Sequence, residues 1–107
     1  MAKIRYSEAS EQDLEDIGDY IEKELKSQKA AFDTTTHIQD AIDELEYAPH
    51  IGLPLAIRYG NVGDYRYLIS GNYLVFYRVQ ANVVYIDRIL YGKRDYLGIL
   101  FGKLTDG

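Results

Sequence analysis

The 107-residue sequence has no cysteine and no tryptophan, and only two histidines and two prolines. Without cysteine there can be no disulfide framework, thiolate nucleophile or Cys-ligated metal site. His37 and His50 fall on separate segments without H-x-x-x-H spacing, so they form no histidine cluster. Hydrophobic runs are short, none approaching the ~20 residues needed to cross a bilayer. The opening MAKIRYSEASEQDLEDIGDY carries charges every few residues and has no apolar h-region. The expectation is a cytoplasmic protein that needs no cofactor, no metal and no membrane. A chain of this length buries roughly 65% of the surface its unfolded form exposes. That supports a single domain over residues 1–107 and excludes large multi-substrate enzyme architectures.

A surplus of positive charge is also missing. The formal charge is −5, from 12 Lys+Arg against 17 Asp+Glu, which disfavours a general nucleic-acid binder that must release counterions from phosphates. The charge is unevenly spread: residues 1–50 hold 5 basic and 13 acidic side chains, whereas residues 51–107 hold 7 basic and 4 acidic. Any anion-recognising face therefore belongs to the second half.

What is abundant is tyrosine, with 11 residues, and clear hydrophobic periodicity. Lys3-Ile4-Arg5-Tyr6 alternates as a short strand. Ser7 or Ser10 can cap the helix that follows, and Ser10 with Asp13 resembles a capping box with a shortened acid. Leu14, Ile17, Ile21 and Leu25 then recur at helical spacing, interrupted by Gly18, which costs about 1 kcal/mol unless it admits a close neighbour. From Ser27 a second stripe runs through Ala31, Thr35, Ile38, Ile42 and Leu45 towards Pro49. The short connection predicts an antiparallel helical hairpin. HIGLPLAIRYGNVG reads as an irregular surface loop.

From Tyr65 onward, YRYLIS, GNYLVFYRV and NVVYIDRILYG read as three strands joined by tight turns at Ser70-Gly71-Asn72 and Ala81-Asn82. In the middle strand Tyr73, Val75, Tyr77 and Val79 share one face, and Leu74, Phe76 and Arg78 share the other. Both faces are largely apolar. The helical hairpin can cover one, and the other needs either a partner chain or the C-terminal segment, where Tyr96, Leu97, Ile99, Leu100 and Phe101 form a short helix-compatible pattern. The fold class is α+β: an N-terminal strand and helical hairpin on a twisted, mainly antiparallel sheet, with a short C-terminal helical segment.

The carboxylates of the first helix fit a solvated face, Ser70 has no His–Asp arrangement, and Gly71, Gly92 and Gly98 form no phosphate loop. The informative set is Arg66, Arg78, Arg88, Lys93 and Arg94, which are able to converge on one edge or face of the sheet. Alternatively, Arg88 pairs with an acid of the first helix or with Asp87, and Arg78 is a strand-end charge that blunts an edge. The eight tyrosines from Tyr59 to Tyr96 fit core or interface anchors better than base-stacking platforms.

Across nearly its whole length the sequence resembles the RelE/ParE superfamily of toxins from type II toxin–antitoxin systems. The resemblance lies in EQDLEDIGDYI, YAPHIGLP, YRYLISGNYLVFYRV and IDRILYGKRDY, in that order. It implies two possible activities. RelE-like members are metal-independent ribonucleases that cut messenger RNA on the ribosome with basic side chains of the sheet. Arg66 and Arg94 match basic positions of that set, and Arg78 would complete it. Leu74 stands where those enzymes keep an arginine, Leu68 replaces another basic residue, and Leu100 lies near a position where they keep an aromatic. Leucine cannot stabilise charge developing on a phosphate, a loss worth powers of ten in rate. ParE-like members instead block DNA gyrase by protein contact and are not nucleases, and the sequence is more similar to these. The resemblance thus implies a non-enzymatic, growth-inhibiting, plasmid-stabilising toxin that forms a hetero-oligomer with a cognate antitoxin, with a non-toxic antitoxin-binding module as a further alternative. The implied contact residues for antitoxin or target are Arg66, Leu74, Phe76, Arg78, Lys93, Arg94 and Tyr96.

Overall fold

A computed structural model describes residues 1–55, 64–92 and 99–100. Strand β1 (Lys3–Tyr6) leads into helices α1 (Glu8–Leu25) and α2 (Gln28–Asp43), which continues as a 3-10 turn over Glu44–Glu46. Strands β2 (Leu53–Pro54), β3 (Arg66–Ser70), β4 (Tyr73–Gln80) and β5 (Val83–Tyr91) follow. The five strands form one sheet in the order β1-β5-β4-β3-β2. Only the β1–β5 pair is parallel. The expected α+β class holds. Leu53–Pro54, expected to lie in irregular loop, is instead a short edge strand on β3. Proline is tolerated there because an edge strand has one side free of ladder bonds. No helix among the described residues is long and apolar enough to cross a membrane.

The helix boundaries follow from local chemistry. Ser7 caps α1, its Oγ accepting from the Ser10 N–H at 3.0 Å, and Ser27 caps α2 by accepting from the Ala30 N–H. Helix α1 ends at Lys26 in the left-handed conformation, φ 50°, without the usual glycine. Of the apolar stripe of α1, Leu14 and Ile17 pack on the core, but Leu25, the last residue of the helix, is 65% exposed.

The sheet is covered on both faces. Ile38, Ile42 and Leu45 meet Val75, Tyr77, Val84, Ile86 and Ile89 on the helical side. Phe76 and Leu90 meet Leu55 on the other, with Leu74, Tyr67, Ile99 and Leu100 packed around them. The predicted division of β4 into Tyr73/Val75/Tyr77/Val79 and Leu74/Phe76 faces is the one observed. Ile99 and Leu100 help cover the second face, as expected of the C-terminal segment; the remainder of the proposed tail helix lies outside the described residues.

The register of β4 and β5 shifts midway: Phe76 faces Arg88, whereas Tyr77 faces Ile86. Asp87 is therefore an extra residue, and the bulge lets Ile86 and Ile89, three apart, share the helical face. Strand β1 reaches only to Ile86, so the bulged part of β5 has no strand beyond it. The first turn of α1 takes that place. Ser7 donates its N–H to the Ile86 carbonyl and its hydroxyl to the Asp87 carbonyl. Asp13 accepts from the Ile89 N–H at 2.8 Å and from Arg88 Nε and Nη2, both at 2.8 Å. The capping-box reading of Ser10 with Asp13 is thereby corrected. Asp13 points to the sheet, and buried Ser10 donates to the Ser7 carbonyl. The hydrogen bond from Arg88 to Asp13 raises the guanidinium pKa further above its already high ordinary value.

Two glycines test how tightly the parts fit. A Cβ on Gly18 would lie 3.5 Å from Thr35 Cγ2, an ordinary contact between the helices. A Cβ on Gly52 would lie 2.5 Å from Tyr77 Oη and 2.9 Å from the Tyr67 carbonyl. We expect Gly18→Ala to raise stability by up to about 1 kcal/mol and Gly52→Ala to lower it by about 3 kcal/mol, as read from urea midpoints. Asp13→Ala strands the mostly buried Arg88 and the Ile89 N–H, and is expected to cost about 3–5 kcal/mol. A loss below 1 kcal/mol in the same titration would show that this anchor is dispensable.

Candidate functional site

The second face of the sheet combines an apolar surface with a polar cluster at one end. Pairing aligns Leu53, Tyr67 and Phe76 across β2, β3 and β4, and Ile69, Leu74 and Leu90 across β3, β4 and β5. Phe76 and Leu90 are sealed beneath Leu55, Ile99 and Leu100. The outer part is open, with Leu53 54% and Ile69 64% exposed. Phe76 is thus corrected from a contact residue to a core residue, since its ring has no exposed surface. Leu74 remains half-buried beside exposed Ile69. Open aliphatic side chains next to a packed core are the kind of surface another chain covers.

At the polar end Arg78 donates from Nε to Asp87 Oδ2 at 2.7 Å, and its guanidinium lies 5.4 Å from the Tyr85 ring centroid and 6.0 Å from that of Tyr65. These distances are within cation–π range. Arg78 is not an edge charge, because β4 is an interior strand. Its strand neighbours supply the partners, with Tyr85 directly across in β5 and Asp87 supplied by the bulge. Burial, together with a hydrogen bond to Asp87, pushes the Tyr65 hydroxyl up to about 12 from 10.0.

Arg66 lies elsewhere. It pairs across from Tyr77, on the helical face, and donates from Nη1 to the carbonyls of Gly52 (2.9 Å) and His50 (3.2 Å). The buried Tyr77 hydroxyl accepts from the Gly52 N–H at 2.8 Å. Arg66 and Tyr77 together hold the turn into β2. The described arginines therefore do not converge: Arg66 binds this turn, Arg78 the second face, and Arg88 helix α1. Lys93, Arg94 and Tyr96 lie outside the described residues. Among those described, no group of three His, Asp or Glu side chains comes together to hold a metal.

Sequence reasoning assigned no role to Tyr65 or Tyr85 beside Arg78. The available signal was Tyr85-Ile86-Asp87 facing Arg78 after a tight turn, but strict pairing does not anticipate the bulge at Asp87.

The family model for the ParE toxin of type II toxin–antitoxin systems matches residues 4–96. The chain belongs to the ParE toxin family. Among solved structures it is similar to a chain of the chromosomal ParDE toxin–antitoxin system from P. aeruginosa, with a TM-score of 0.72 and 19% identity over 85% of this chain and 96% of that one. At that identity the likeness concerns the fold. No curated protein matches. Placement in the ParE toxin family agrees with the resemblance drawn from EQDLEDIGDYI and IDRILYGKRDY.

The tyrosines give this ParE-family fold an alkaline limit. The Tyr6 hydroxyl, like that of Tyr65, is pushed up to about 12, chiefly by burial and then by Asp43. Each holds its proton more tightly in the folded chain than in the unfolded one. Their contribution is fully present below pH 10 and is lost as the pH rises through about 12. Urea midpoints should fall across this window, with a shallower fall in the Tyr6→Phe/Tyr65→Phe double variant; parallel curves would rule these two groups out.

Proposed function

We propose that this ParE-family chain is a toxin neutralised by a cognate antitoxin, and that it acts by binding a bacterial target protein, such as DNA gyrase, without cutting RNA. The observation supporting non-nucleolytic action is the commitment of Arg66 and Arg78 to partners on opposite faces of the sheet. Scission by 2′-hydroxyl attack needs several donors aimed at one phosphate, and these two arginines are not aimed at a common point. Leu68 and Leu74 add no charge between them. The antitoxin is proposed to lie over the open part of the second face, along Leu53, Ile69 and Leu74. Acidic residues beside its apolar anchors would complement the basic second half of the chain. A toxin and antitoxin meeting there would form a hetero-oligomer in the cytoplasm.

The test is brief expression of the chain alone in a bacterium, with plasmid supercoiling, DNA breaks and transcript 5′ ends measured in parallel. Altered supercoiling or breaks with intact transcripts is the expected result. New 5′ ends at ribosome-occupied codons with unaltered DNA would replace it with the ribonuclease reading and direct attention to Lys93 and Arg94.

A further inference from the structure

A groove of about 550 Å³ opens between α1 and the far end of the β4–β5 pair. It exists because β1 stops opposite Ile86 while β5 continues to Tyr91. Ile17 and Ile89 give it an apolar lining, and Tyr20, Tyr73, Tyr91 and Asp16 complete the surface that concerns ligand chemistry. Among the described residues, no lysine or arginine lines it. Its other carboxylate, Asp13, is occupied by Arg88 and the Ile89 N–H.

Asp16 is different. Its hydrogen bond comes from the neutral amide of Gln12, at 2.9 Å, not from a cation. Tyr20 lies one helical turn further on, at i+4, where both side chains share a face of α1. The Tyr20 side chain is 62% exposed. Tyr73 and Tyr91 meet edge to face, with centroids 5.9 Å apart and planes at 66°. Burial raises the Tyr73 hydroxyl pKa, and the Tyr91 and Tyr20 hydroxyls raise it further; all three tyrosines line the groove. Aromatic faces beside a carboxylate attract cations, above all a planar guanidinium that can stack while donating to an acid.

We propose that this groove binds an arginine side chain presented by a segment of a partner protein, with apolar neighbours of that arginine seated on half-buried Ile17 and the exposed ring of Tyr91. Charge complementarity selects this occupant. Among the described residues Asp16 has no cationic partner, and residues 1–50, which include all of α1, carry 13 acidic against 5 basic side chains. The groove assignment does not depend on the toxin reading.

The experiment titrates the isotope-labelled full chain with the capped peptide Leu-Ala-Arg-Ala-Leu, and with the same peptide carrying citrulline, a neutral near-isostere, in place of arginine. Amide shifts are expected at Ile17, Tyr20, Tyr73 and Ile89. Affinity should be on the order of tenfold lower for the citrulline peptide. A similar loss is expected in Asp16→Asn and Tyr20→Ala, both exposed positions whose replacement leaves the core intact. Equal binding of the two peptides, shifts centred on another surface, no shifts at millimolar peptide, or unchanged affinity in both variants would each overturn the proposal.

Discussion

Asp13 joins the helical and β halves of this chain. One carboxylate takes both the Arg88 guanidinium and the Ile89 amide, across a separation of about 75 residues in sequence. A buried ion pair adds little net stability compared with apolar groups of the same shape, yet breaking it leaves a charge and an amide without partners. Its effect is on geometry. With Ser7 bonded to Ile86 and Asp87, it fixes the start of α1 against the bulge of β5. Helix α1 then covers the bulged part of β5 beyond the end of β1, so that stretch of the edge is shielded without strand addition.

The bulge has consequences on both faces. By adding Asp87 to β5 it returns Ile89 to the helical core with Ile86 and Val84, and it presents a carboxylate to Arg78 on the opposite side. A single extra residue thus completes a hydrophobic layer and a polar cluster together. The groove beside Tyr20 has the same origin, since α1 covers the edge near Asp13 but leaves the last residues of β5 unpaired on that side.

Membership of the ParE toxin family gives the open second face its context. The sheet is not bare: Leu55, Ile99 and Leu100 pack over Phe76 and Leu90, and among the described residues of this face the exposed aliphatic side chains are Leu53 and Ile69. Arginines that looked like one functional set are divided among three structural duties. Arg66 ties down the turn into β2, Arg78 closes the polar end of the second face, and Arg88 holds α1. Such division suits a protein that presents a shaped surface better than one that concentrates charge on a reacting phosphate.

Local chemistry made much of this legible in advance. The helical stripes, serine caps, tight turns at Gly71 and Ala81, and alternating faces of β4 all depend on neighbours within a few residues, where periodicity carries the information. The apolar nature of both sheet faces was legible for the same reason, and so was the family resemblance. What sequence left open was which acid would meet Arg88 and where Arg78 would point, and naming Phe76 a contact residue missed that its ring is buried. A residue's partner across 75 positions depends on register, and register in β5 turns on one bulged residue that no alternation pattern marks. The sequence by itself determined the elements and their apolar faces, because those arise from short-range periodicity. Only the tertiary structure decided which charges are neutralised and which surfaces stay open, because both depend on how α1 docks against the unpaired end of β5.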